Sequence, residues 1–105
     1  MNSMDELHEY IGSGKSEGSI LLDVRSVEEF SQGHIEGAIN LPHDEITKES
    51  IEVLEKGSSV IVFCYMGGRA RMAYDTLNSL GVKNLLCISA DGMARWIDQG
   101  FPVTS

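Results

Sequence analysis

A chain of 105 residues with 42% hydrophobic content suits one compact domain over residues 1–105, burying roughly 65% of its unfolded surface. Its formal net charge of −8, with 8 Lys and Arg against 16 Asp and Glu, excludes a nucleic-acid-binding role, because phosphate contacts need clustered cations. No apolar run approaches the roughly 20 residues of a membrane helix, and two cysteines without zinc-type spacing read as free thiols.

The N-terminus, Met1-Asn2-Ser3-Met4-Asp5-Glu6, lacks the basic region and apolar core of a signal peptide. A cytoplasmic protein is the expectation, with an exported form open should a leader have preceded it. Ser3-Met4-Asp5-Glu6 has the form of a capping box, and Met4, Leu7, Tyr10 and Ile11 share one helical face. Residues 12–18 break that helix as a Gly- and Ser-rich connection. Gly12-Ser13-Gly14-Lys15-Ser16 is not a phosphate loop, since the Walker spacing is absent and no strand precedes it.

Residues 19–24 form a buried-strand pattern ending in the charged pair Asp23 and Arg25. Ser26-Val27-Glu28-Glu29 supplies a second capping box for a helix that stops at Gly33. A short strand is expected before Pro42, and a short helix, packed by Ile46, Ile51, Val53 and Leu54, between His43 and Lys56. Val60-Ile61-Val62-Phe63 is the most apolar strand. Ala70, Ala73, Leu77 and Leu80 then mark a helix closed by Gly81, residues 84–88 another strand, and residues 91–99 a last helix anchored by Trp96. Alternating strands and helices joined by short turns imply βα units and a mainly parallel sheet.

Cys64 stands where the central strand empties into Tyr65-Met66-Gly67-Gly68-Arg69-Ala70 and the start of a helix. Unpaired N–H groups and the positive helix end lower a thiol's pKa and hold an anion attached to it. Such a thiolate is a nucleophile toward sulfur, phosphorus or arsenic centres, and loop size discriminates among them. Four residues separate Cys64 from Arg69. The tyrosine-phosphatase type of anion loop has one more, which would put its arginine where Ala70 stands; Arg71 comes one residue too late.

Three segments resemble the rhodanese family. Leu22-Asp23-Val24-Arg25 with Glu28-Glu29-Phe30 and residues 33–42 is similar to its N-terminal signature, residues 62–70 to its C-x-x-G-x-R active-site loop, and residues 92–96 with 100–103 to its C-terminal end. The resemblance implies an α/β fold with a five-stranded, mainly parallel sheet and helices on both faces. It also implies sulfur transfer through a persulfide on Cys64, with no cofactor and no metal. The loop amides of Tyr65, Met66, Gly67, Gly68, Arg69 and Ala70 would hold the substrate. The donor would be thiosulfate, a polysulfide or a persulfide, and the acceptor cyanide or a thiol. Expected partners are these small molecules and a thioredoxin-like or persulfide-donor protein, with the chain a monomer. Tyr65 and Met66 depart from the basic or polar residues many such loops carry after the cysteine.

Two other functions stay open from the residues: a regulatory rhodanese-like module whose loop docks a partner, and a phosphatase or arsenate reductase. Arg69 either binds the anion or braces the loop on a carboxylate, with Asp23 a candidate partner. Arg25 is expected to pair with Glu28 or Glu29, and His34 to fix a turn by a hydrogen bond. Cys87 reads as core, and Glu49, Glu52 and Glu55 as a solvated face. His8 and His43 have no companions at ligand spacing.

Overall fold

Val60–Phe63 is buried at every position, the mark of a strand covered on both faces, and the sheet is built around it. The computed structural model describes residues 1–105. Its elements are α1 (Met4–Gly12), β1 (Ile20–Asp23), α2 (Val27–Gln32), β2 (Ile39–Asn40), α3 (Ile51–Leu54), β3 (Val60–Phe63), α4 (Gly68–Ser79), β4 (Leu85–Cys87) and α5 (Met93–Asp98). The strands lie in the order β2-β1-β3-β4, every neighbouring pair parallel, with Leu22 opposite Val62 and Val62 opposite Cys87.

The period-2 alternation of the strands divides the interior into two cores. Leu22, Val24, Val60, Val62 and Cys64 pack with Leu54 of α3 and Ala70, Ala73 and Leu77 of α4. On the opposite face Leu21, Ile61 and Phe63 pack with Met4 and Leu7 of α1 and Met93 and Trp96 of α5. Burial of each larger side chain contributes about 1.5–3 kcal/mol, and the Trp96 indole N–H is not left unpaired: it donates to the Pro102 carbonyl at 2.8 Å. Because all four strands run the same way, their C-terminal ends share one edge, where a parallel sheet exposes its functional loops.

The sheet has four strands, not the five implied by the resemblance. The remaining β pairing is a single antiparallel bridge between His34 and Thr104, and Pro102 beside it has no N–H to extend a ladder. The helix expected between residues 43 and 56 shrinks to α3. Ahead of it, Ser50 donates to the Thr47 carbonyl at 2.8 Å and accepts from the Thr47 N–H at 2.7 Å, a local pairing that competes with helix. At α1 the Ser3 hydroxyl accepts from the Glu6 N–H at 3.2 Å, while the Met4 N–H donates to Asp91 Oδ1 at 2.8 Å. A carboxylate from before α5 thereby ties down the start of α1.

Candidate active site

Cys64 is the first residue past β3 and is 1% exposed. Its Sγ accepts a hydrogen bond from the Gly67 N–H at 3.0 Å. Gly67 is the N-cap of α4 with φ +115°, and a Cβ there would lie 2.3 Å from the Ser89 carbonyl oxygen. Only glycine fits a position that is both left-handed and in contact with a neighbouring backbone. The N–H groups of Tyr65, Met66, Gly68, Arg69 and Ala70 have no acceptor within the protein, so the loop is a concentration of free donors around one thiol. Gly67 alone bonds the sulfur directly.

The other side of the loop is fixed by α5. The Met93 N–H donates to the Cys64 carbonyl at 2.8 Å and the Ala94 N–H to the Tyr65 carbonyl at 3.0 Å. Those carbonyls satisfy helix-start donors. The approach needs Gly92, whose Cβ would sit 2.3 Å from the Cys64 oxygen and 2.4 Å from the Tyr65 oxygen.

The charged residues pair otherwise than expected. Arg25 does not reach Glu28 or Glu29; it forks onto Asp23 at 2.8–3.1 Å and its Nη2 also donates to the Gly33 carbonyl at 2.8 Å. Two positions apart in extended chain, the side chains of residues 23 and 25 leave on the same side, and both are buried. Asn40 locks this exit by donating to the carbonyls of Asp23 and Arg25, each at 3.0 Å. Arg69 does not meet Asp23; Nη1 and Nη2 donate to the two oxygens of Glu29 at 2.6 and 2.9 Å. Glu29 is also the N3 residue of a complete capping box with Ser26. It is thus a joint between the start of α2 and the first turn of α4. The Arg69 hydrogen bond, helped by Ser26, lowers the Glu29 carboxyl from 4.5 to about 2. The same carboxylate keeps the Arg69 guanidinium firmly charged.

His34 stacks on Phe30 with ring centroids 3.7 Å apart, and its Nδ1 lies 2.8 Å from the Phe30 carbonyl, at the turn after α2. Cys87 packs against the α4-side core as expected but is only half-buried, and lines a surface hollow with Arg71, Tyr74 and Asp75. Burial pushes its thiol pKa up, against the pull of Arg71. No three His, Cys, Asp or Glu side chains gather in a metal-holding arrangement, and no helix is long and apolar enough to cross a membrane.

Met66 is 71% exposed and Tyr65 is also exposed, so the mouth of the loop is apolar. Beside Tyr65 a cleft of about 360 Å³ opens between Ile97 and Val103 on one side and Arg25, Glu29 and Gln32 on the other. Glu29, Gly92 and Gln32 are the positions that sequence reasoning did not place at the site. The capping box was the signal for Glu29, while nothing local marks Gly92 as a neighbour of Cys64.

The fold and site together are a parallel α/β sheet with a buried thiol in an amide-rich loop at its C-terminal edge. The chain belongs to the rhodanese family: the Rhodanese-like domain matches residues 3–99. It is 33% identical over 76 residues to a putative sulfur carrier protein, YrkF, of Bacillus subtilis, covering 72% of this chain and 40% of that protein. With thiosulfate sulfurtransferase 16 of Arabidopsis thaliana it shares 36% identity over 99 residues, 81% of this chain and 79% of the relative. The crystal structure of a rhodanese-related protein from Thermoplasma volcanium superposes with a TM-score of 0.78 at 31% identity, covering 99% of this chain and 98% of that one. The chain therefore spans well under half the length of YrkF but most of the other two.

Proposed function

We propose that this domain is a sulfurtransferase that carries sulfane sulfur on Cys64. The observation that supports it most is the Cys64 Sγ held at 3.0 Å by the Gly67 N–H among loop N–H groups that have no other acceptor. In the loading step the Cys64 thiolate attacks the outer sulfur of thiosulfate. A new S–S bond forms, the sulfur–sulfur bond of the donor breaks, and sulfite leaves with the bonding pair. The loop amides stabilise the resulting Cys64–S–S⁻ electrostatically, an effect strengthened by exclusion of water. An attacking thiolate or cyanide then takes the outer sulfur and Cys64 leaves as thiolate. A polysulfide or a persulfide, including one on a partner protein, loads the site by the same displacement.

Two features bear on the donor. Arg69 is engaged by Glu29 through both of its Nη atoms, so the cation at the end of the loop is not free to bind a dianion, and Arg25 keeps only its Nη1 edge beyond its fork on Asp23. That favours polysulfide and persulfide donors over thiosulfate in affinity. It also weighs against phosphoryl chemistry at this loop, where a cation on the transferring oxygens would be missing. Intact-mass spectrometry after exposure to thiosulfate, polysulfide and an organic persulfide should reveal one added sulfur on the wild type and none on Cys64→Ser. Absence of sulfur uptake from all three donors would overturn the proposal.

A further inference from the structure

Arg25 is the only buried Lys or Arg in the chain, 3% exposed. Its Nε and Nη2 are fully engaged by Asp23 and Gly33, but its Nη1 donates to nothing in the protein. Every completely buried side-chain nitrogen and oxygen has a partner, so Nη1 must reach the surface, and Arg25 lines the cleft beside Tyr65. Nη1 is thus the one guanidinium edge left without a partner, on a residue that lines a concave site of about 360 Å³, within the range of small-ligand pockets. Ile97, Val103 and Tyr65 give it apolar walls, Gln32 adds an amide, and the one carboxylate in the lining, Glu29, is paired with Arg69. Thiosulfate and cyanide are too small to use such a space.

We infer that this cleft is the acceptor subsite, and that it takes a small thiol bearing a carboxylate, bound by Arg25 Nη1. The inference rests on the sulfurtransferase reading above. Asp23 orients the guanidinium and leaves one edge free, and planar guanidinium–carboxylate bonds are the strong, directional kind. Tyr65, the residue after the nucleophile, lines the cleft, and on this proposal a ligand anchored at Arg25 passes Tyr65 to bring its thiol to the loop. In the transfer step the Cys64–S–S⁻ left by loading takes a proton from water, and the acceptor thiolate attacks the outer sulfur of Cys64–S–SH. The acceptor–sulfur bond forms, the Cys64–sulfur bond breaks, Cys64 leaves as thiolate, and the product is the acceptor's hydropersulfide.

The test compares N-acetylcysteine with N-acetylcysteine amide as acceptors from sulfur-loaded protein, at matched thiolate concentration. The acid should show a KM about five-fold below that of the amide, the scale of one screened charge interaction. Gln32→Glu, at an exposed position in the lining of the cleft, should raise the KM of the acid relative to that of the amide. Arg25→Lys should abolish the preference by KM rather than by kcat. Equal KM values in the wild type, or a preference untouched by Gln32→Glu, would overturn the subsite while leaving sulfur transfer intact. Binding of N-acetylcysteine to unloaded protein, followed at the Arg25 Nε NMR resonance, reads the subsite without turnover. A perturbed resonance in a protein that never takes up sulfur would sink the sulfurtransferase reading and keep the site; an unperturbed one sinks the site.

Discussion

The joint between α2 and α4 can be taken apart by charge alone. Glu29→Gln keeps the size of the side chain and an oxygen for the Ser26 N–H, so the helix cap survives while the Arg69 ion pair is lost. A carboxyl lowered from 4.5 to about 2 corresponds at face value to about 3.4 kcal/mol, at 1.36 kcal/mol per unit. Arg69 and Glu29 are 31% and 32% exposed, and water screens such pairs to about 0.2–1 kcal/mol in the fully exposed case. Two short bonds in fork geometry place this pair above that range, and a coupling of about 1.5 kcal/mol is expected from a double-mutant cycle with Arg69→Gln. The sign with pH follows from the lowered carboxyl. Between its unfolded value of 4.5 and its folded value of about 2, the unfolded chain holds the extra proton. The contribution is therefore complete above pH 4.5 and is lost as pH falls toward 2. Urea midpoints measured from about pH 7 down to about pH 2.5 should fall more steeply for wild type than for Glu29→Gln, the two converging at the acid end. Parallel pH profiles, or a coupling under about 0.2 kcal/mol, below the usual range of a surface pair, would refute the role given to this ion pair.

The two loop glycines should separate cleanly. Gly67→Ala forces a Cβ to 2.3 Å from a carbonyl oxygen at a left-handed φ and should cost about 3 kcal/mol or more in thermal unfolding, whereas Gly68→Ala, helical and with open space around its Cβ, should be neutral or stabilising by about 0.5–1 kcal/mol. Gly92→Ala meets the backbone of Cys64 and Tyr65, so the thermal midpoint and sulfur uptake should fall together; retention of both would show that α5 does not set the loop. Asp91→Ala should destabilise by about 1 kcal/mol through loss of the Met4 N–H acceptor, read as lost amide-exchange protection in α1. Cys87, with its thiol raised by burial, should resist iodoacetamide at pH 8 in the folded protein, checked by peptide mapping; rapid modification would contradict that environment.

What the residues alone determined is what local physics governs. The run Val60–Phe63 is apolar at every position, so it had to be covered on both faces, and it is the strand beside which β1 and β4 align. The glycines after Cys64 and the helical spacing of Ala70, Ala73 and Leu77 placed the thiol at a helix start. The Ser26–Glu29 capping box was legible because it closes within one turn. The fifth strand implied by the family resemblance is absent from the sheet, and of the helix expected between residues 43 and 56 only Ile51–Leu54 forms, with local Ser and Thr pairing just ahead of it. Which carboxylate meets which arginine was decided only in three dimensions. Asp23, Glu28 and Glu29 are near-equivalent partners in a sequence, and the choice among them follows from the side on which β1 releases Arg25 and the edge that α2 turns toward α4. Gly92 likewise has no message of its own until α5 is laid against the Cys64 carbonyl at 2.8 Å from the Met93 N–H. A hydrogen bond across 29 residues is written in neither segment separately; it exists because the sheet brings both to the same edge.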